Sequence, residues 1–246
     1  TNLSTSEHGT FKDSLRAPIH GWFRYPAGYS YRFVETVFQR WSIGRGSWVY
    51  DPFSGTGTTL VCAKQAGSNA YGVEAHSFVH WVADVKLQWD FDYSSIVGDT
   101  EKLLARIKTF VAKDIETYDT SDLFPELVYK CYHPKTLTEL ALIREYICSQ
   151  IMDYQYLDLF KLALTDTLRN AAAAGTGWPY IAPNKNTGDK PPKNAVALFT
   201  ATVRKMVADL LKVGRDSPTG IIHNVLGDSR QRQQISDEQI DLALTS

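Results

Sequence analysis

Cysteine is scarce in this sequence: three residues, Cys62, Cys131 and Cys148, lie far apart, and none belongs to a Cys-x-x-Cys pair. That spacing argues against a disulfide framework and a zinc site, and predicts reduced core thiols in a cytoplasmic protein. Long apolar runs are missing as well, and the polar start carries no basic-then-apolar leader, so neither a membrane partner nor a secretory route is expected. Charge of one sign is lacking too. The 26 Lys and Arg residues nearly balance 27 Asp and Glu, leaving a net charge of −1. No global basic field advertises a nucleic acid, and any grip on DNA has to be local or lie elsewhere. Methionine is absent from position 1, where Thr1 stands, which reads as processing or as an expressed piece of a gene. What the chain has in quantity is apolar and aromatic side chains, 43% and 12% of 246 residues. That is ample for a buried core in one large domain or two small ones.

The informative stretch is Val49-Tyr50-Asp51-Pro52-Phe53-Ser54-Gly55-Thr56-Gly57-Thr58-Thr59-Leu60. A β-branched and aromatic run enters a turn with two glycines, and Leu60, Val61, Ala63 and Ala66 follow at helical spacing: strand, tight turn, helix. Glycines there let the backbone approach a ligand at a helix N-terminus, as in a nucleotide cradle. Two common cradles are disfavoured. The dinucleotide fingerprint needs a third glycine where Leu60 stands, and a phosphate loop needs a lysine directly after Gly57, where Thr58 stands.

Asp51-Pro52-Phe53-Ser54-Gly55-Thr56-Gly57-Thr58-Thr59 closely resembles motif I of the S-adenosylmethionine-dependent DNA amino-methyltransferases, which methylate an exocyclic nitrogen of adenine or cytosine. The resemblance implies that these residues shape a pocket for S-adenosylmethionine. Upstream, Tyr25-Pro26-Ala27 is similar to the family's motif X, which helps to hold the methionine part of the cofactor, although Gly28 stands where a basic residue is common. An aromatic turn plugging the sheet is the structural alternative there. Downstream, Ala70 to Glu74 reads as a second strand ending in an acid about twenty residues past the turn, the position from which a carboxylate reaches ribose hydroxyls. In the family Glu74 is motif II. Gly227-Asp228, closing a strand predicted from Gly220, resembles motif III and places Asp228 beside the cofactor's adenine; Gly98-Asp99 is a competing match.

The expected fold class is α/β: a Rossmann-like methyltransferase sheet, incomplete, with a helical insertion between the second and third strands. The expected organisation is a flexible lead-in over 1–19, a cofactor-binding α/β part over 20–99, the insertion over 100–215, and the remaining strands over 216–246. Helical periodicity marks Arg32 to Trp41, Phe78 to Trp89, Glu101 to Val111, Leu137 to Met152, Leu157 to Ala174 and Ala195 to Val213. Residues 175–193, long and lysine-bearing with Trp178, suit contact with a nucleic-acid backbone or form a solvated excursion.

A fourth strand is predicted over Ile240 to Ser246. In the family it leads into motif IV, Asp/Asn/Ser-Pro-Pro-Tyr/Phe, so Ser246 takes the place of the first, catalytic residue of that tetrad. The tetrad orients the target amino nitrogen and stacks on the flipped base. The chain stops at Ser246, and the resemblance therefore implies a chain inactive by itself. A Thr-Ser start leans toward cytosine N4 over adenine N6. DNA is the implied partner of the complete protein. The outer edge of the fourth strand, with Leu242, Ala243 and Leu244, predicts self-association or pairing with a complementing C-terminal chain. No metal is implied. An RNA or small-molecule methyltransferase, and a non-enzymatic subunit that binds a complementing chain, are the alternatives.

Overall fold

The computed structural model describes residues 12–25, 27–151, 155–173, 191–214, 220–231 and 233–245. Pro26, Ser246 and positions 175–190 of the lysine-bearing loop lie outside the described residues. The described chain forms two compact units, one from residues up to Asp90 together with Asp209 onward, the other from Phe91 to Ala208.

The first unit holds a four-stranded parallel sheet of β1 (Trp48–Asp51), β2 (Asn69–Glu74), β3 (Ile222–Leu226) and β4 (Leu242–Ala243), in the order β3-β2-β1-β4. Three helices accompany it: α1 (Tyr31–Arg40), α2 (Thr58–Ala66) and α3 (Ser77–Leu87). Local chemistry sets their ends. The Ser30 hydroxyl accepts from the Arg32 N–H at the start of α1, and Gly67, at φ +71°, closes α2 in the left-handed conformation. Strand alternation then sorts the side chains. Val49 and Ala70 join Val34, Phe38, Leu60, Cys62 and Leu244 in a buried cluster, so the three helices pack on that face of the sheet. Helix α2 sits so close that a Cβ at Gly72 would lie 2.8 Å from Leu60 Cδ1. On the opposite face Trp48, Tyr50, Tyr71 and His223 form an aromatic array, with Trp48 stacked on His223 at 6.0 Å.

The second unit is helical: α4 (Ile96–Asp114), α5 (Glu126–Cys131), α6 (Pro134–Gln150), α7 (Leu157–Ala171) and most of α8 (Ala195–Val213). Phe160 meets Phe199 edge to face at 5.8 Å, and both are fully buried. Glu139, itself buried, accepts from the Ala195 N–H at 2.6 Å and thereby satisfies a donor at the start of α8. No helix among the described residues is long and apolar enough to cross a membrane.

Several expectations need correction. The lead-in packs over its described part: Asp13–Arg16 forms a 3-10 turn, Ile19 is fully buried, and the Asp209 carboxylate accepts from Trp22 Nε1 at 2.9 Å. Gly98-Asp99 lies in the first turn of α4, not at a strand end, which removes it as a rival to Gly227-Asp228. Lys193 is not available to a phosphate backbone, because its ammonium donates to the Asn170 and Ala172 carbonyls at 2.7 and 2.8 Å and caps α7. Cys62 and Cys131 are buried thiols, but Cys148 is exposed. The helix predicted over Leu157 to Ala174 ends earlier, at Ala171, and Ala172 and Ala173 lie past its end as buried residues.

Candidate functional site

Strand order defines where a ligand can sit. From β1 the chain crosses through α2 to β2 on one side, while β4 pairs with β1 on the other. The crevice beyond the carboxyl ends of β1 and β4 is therefore a topological switch point, where open parallel sheets bind ligands. The Pro52–Gly57 turn leaves β1 at that end. Gly55 and Gly57 adopt φ +53° and +80°, values that side chains rarely tolerate. A Cβ at Gly57 would also lie 3.1 Å from that of Ala83.

The backbone of the turn is pinned by its neighbours. Phe53 N–H donates to Asp51 Oδ1 at 3.1 Å and Gly55 N–H to Glu74 Oε2 at 3.0 Å. Ser54 N–H donates to the Val73 carbonyl at 2.9 Å, and Gly57 N–H to the Ser54 carbonyl at 2.8 Å. These N–H groups are thus occupied by acceptors of the protein, and two of those acceptors are carboxylates. Such a turn repels a pyrophosphate and attracts a cation.

Asp51 is buried, and its Oδ2 accepts from the Tyr29 hydroxyl at 2.9 Å and the Thr59 hydroxyl at 2.6 Å. Burial raises its pKa above the ordinary carboxylate value, against the pull of those donors. Burial, then Asp51, push the Tyr29 phenol far upward as well. Glu74 is half-buried, and its Oε1 accepts from the His76 N–H at 2.8 Å. A carboxylate has about four lone-pair positions, so Glu74 retains room for two further donors such as ribose hydroxyls.

The other residues singled out by sequence distribute as follows. Tyr25 lies against the turn, with its ring 3.2 Å from where a Cβ of Gly55 would be. Ser54 and Thr56 are buried, and their hydroxyls have no hydrogen-bond partner among the described residues. Thr58 is buried at the start of α2, Pro52 is half-buried, and Phe53 is 61% exposed. Ala27 is exposed. Asp228 follows β3 at the same sheet end, where Gly227 N–H donates to the Glu74 carbonyl at 3.0 Å. Its carboxylate is engaged by the Arg230 guanidinium at 2.6 Å, which with the Arg230 N–H lowers its pKa to about 2.

Two features escaped the sequence reading. Tyr29 braces Asp51, although the only signal was an aromatic just past Tyr25-Pro26-Ala27. Phe78, 38% exposed at the start of α3, is ringed by Phe23 at 5.6 Å, Trp81 at 5.8 Å and His76 at 6.5 Å, an aromatic rim built mostly from residues two to seven past Glu74. The density of rings between positions 76 and 81 was its sequence signal.

Among the described residues, no group of three or more His, Cys, Asp or Glu is placed to hold a metal ion. The second unit has a cleft of about 630 Å³ between α4, α6 and α8, whose lining shares no residue with the Pro52–Gly57 turn or the side chains around it.

Comparison with known proteins points the same way. Residues 4–83 match the family model described as DNA methylase. Over 177 residues the chain is 25% identical to the type II methyltransferase M.BsoBI of Geobacillus stearothermophilus, covering 70% of this chain and 33% of that protein. Over 150 residues it is 28% identical to M.MjaII of Methanocaldococcus jannaschii, covering 58% of this chain and 28% of the relative. A 53-residue stretch is 43% identical to M.MthZI of Methanothermobacter thermautotrophicus, covering 21% of this chain and 15% of the relative. The aligned regions thus span about a third or less of these curated relatives. The Asp-Pro-Phe-Ser-Gly-Thr-Gly turn lies within the matched residues 4–83, so the part of the chain that carries β1, β2 and this turn is similar to the DNA methylase family.

Proposed function

We propose that this chain is the cofactor-binding part of a type II DNA methyltransferase. It would use S-adenosylmethionine to methylate an exocyclic amino nitrogen of a DNA base, with cytosine N4 favoured over adenine N6. The observation that carries the reading is the acidic pinning of the turn: Asp51 and Glu74 hold Phe53 and Gly55 from either side. A cofactor with a sulfonium and an ammonium suits that field, and a dinucleotide does not. The residues fit it in other respects. The Ser54 and Thr56 hydroxyls, buried without partners among the described residues, are suited to polar groups of the methionine portion. Glu74 has acceptor capacity for the ribose, and the rim of Phe23, Phe78 and Trp81 offers flat apolar surface to the adenine. Asp228, closing β3, is proposed to lie near that base.

Bound there, the cofactor supplies an electrophilic methyl group. The chain's own part is positional: a turn fixed in advance loses little entropy on binding, and a fixed methyl donor keeps the transfer geometry productive. The acceptor nitrogen would approach from the β1/β4 crevice, with the target base taken out of the duplex. We further propose that the edge beyond the two-residue β4 pairs with a complementing chain or a second copy.

Calorimetric titration tests the cofactor reading. S-adenosylhomocysteine should bind, ADP should not compete, and Glu74→Ala should weaken binding by about 2 kcal/mol, roughly 30-fold. Equal binding of ADP, or an unaffected Glu74→Ala, would contradict it.

A further inference from the structure

We propose that Tyr29 is a positioning residue for the cofactor turn: its hydroxyl, together with that of Thr59, holds the Asp51 carboxylate where it anchors the Phe53 N–H. The inference rests on the cofactor reading above and adds a residue and a proton dependence to it.

The geometry is closed on every side. Tyr29 comes from the segment ahead of α1, Thr59 from the first turn of α2, and Asp51 from the end of β1. Both hydroxyls donate to Asp51 Oδ2, at 2.9 and 2.6 Å, and the two hydroxyls also touch each other. The other oxygen, Oδ1, takes the Phe53 N–H at 3.1 Å. Asp51 is 1% exposed, so its carboxylate does not reach a ligand itself. Its influence runs through the backbone of Phe53, the second residue of the turn. Thr59 is fully buried and cannot swing away, while Tyr29 is fixed edge to face against Phe33 at 5.7 Å.

A buried carboxylate with three donors is a strong acceptor only while it is ionised. On taking a proton, Asp51 holds the Phe53 N–H weakly and the turn loses one of its two acidic anchors. Burial already moves that event upward in pH, and the Glu74 charge pushes in the same direction. The other titratable groups facing the triad are Tyr50, beside Asp51, and Cys62, beside Tyr29. Burial raises the pKa of both, which leaves each neutral across the acid range. Of Asp51, Tyr50 and Cys62, Asp51 alone changes its ionisation as the pH falls. Removing the Tyr29 hydroxyl removes a donor to the ionised form and moves its protonation to higher pH still.

The test is S-adenosylhomocysteine affinity measured calorimetrically from pH 5 to pH 9, with near-ultraviolet circular dichroism at each pH to establish the fold. Wild type, Tyr29→Phe and Thr59→Val are compared. The expected result is an acid-side loss of affinity that begins about one pH unit higher in each variant, with affinity within about threefold of wild type at pH 9. A Tyr29→Phe curve lowered by one factor at every pH, or superposed on wild type, overturns the role of Tyr29. A folded wild-type protein that binds at no pH overturns the cofactor reading itself.

Discussion

At the residue scale the buried ionisable groups carry the clearest consequences. His20 stacks on Tyr31 at 5.1 Å and lies 3.9 Å from the Cys62 sulfur. Burial, helped by the nearby Lys86 charge, lowers its pKa to about 3 from 6.5. The unfolded chain therefore binds this proton between pH 6.5 and 3 while the folded chain does not, and stability must fall as the pH drops through that window. Acidification from pH 6 to pH 5 should cost about 1 kcal/mol through His20 alone. Urea unfolding at the two pH values checks this, and His20→Phe should flatten the dependence. A slope that persists in the variant would assign it to other groups. In the sequence His20 stands only as the residue ahead of Gly21-Trp22-Phe23. Its depressed pKa depends on burial, which Tyr31 and Cys62 provide only in three dimensions.

At the scale of elements, local signals located most helices and strands and misplaced their ends. The spacing of Leu60, Val61, Ala63 and Ala66 after two glycines specifies a short helix, and α2 runs from Thr58 to Ala66. Leu60, fully buried, bears directly on the space left by Gly72 in β2. Leu60→Ala should cost about 2–5 kcal/mol, read as a lowered urea midpoint with an unchanged slope. A loss under about 1 kcal/mol would mean that the helix and strand collapse onto the gap. Other boundaries depended on partners that periodicity does not reveal. Helix α6 starts at Pro134, fixed at its first turn by proline and by the His133 ring accepting from Lys135 N–H. Helix α5, six residues long, is too short to show a period. The 3-10 turn at Asp13–Arg16 sits in a polar stretch, yet the Ser14 hydroxyl accepts from the Tyr31 N–H at 3.1 Å and is buried.

At the scale of the whole molecule, the sheet of the first unit is the organising feature, and it is asymmetric. Helices α1 to α3 cover the face of Val49 and Ala70. The opposite face carries half-buried Trp48 and Tyr50, buried Tyr71 and exposed His223, and it has β4 at its edge. Parallel sheets are ordinarily covered on both faces, and open strand edges recruit partners. Sedimentation over a concentration series is expected to show self-association, and Ala243→Lys on the exposed edge should weaken it. A monodisperse monomer at the highest concentration would remove a second copy as the proposed partner.

The sequence by itself determined the strand-turn-helix at residues 49–60, the acid placed to end the second strand, the exclusion of a phosphate loop, and the family resemblance. Each depends on residues close together in the chain, where glycine conformation and side-chain period are local properties. Only the tertiary structure decided what those residues do to one another. It brought Glu74 to the Gly55 N–H, turned Asp51 inward to Tyr29 and Thr59, tied Asp228 to Arg230, and set β4 beside β1 across 193 residues from Trp48 to Asp241. Strand pairing and burial join distant parts of the chain, and pKa values and acceptor capacity follow from that joining.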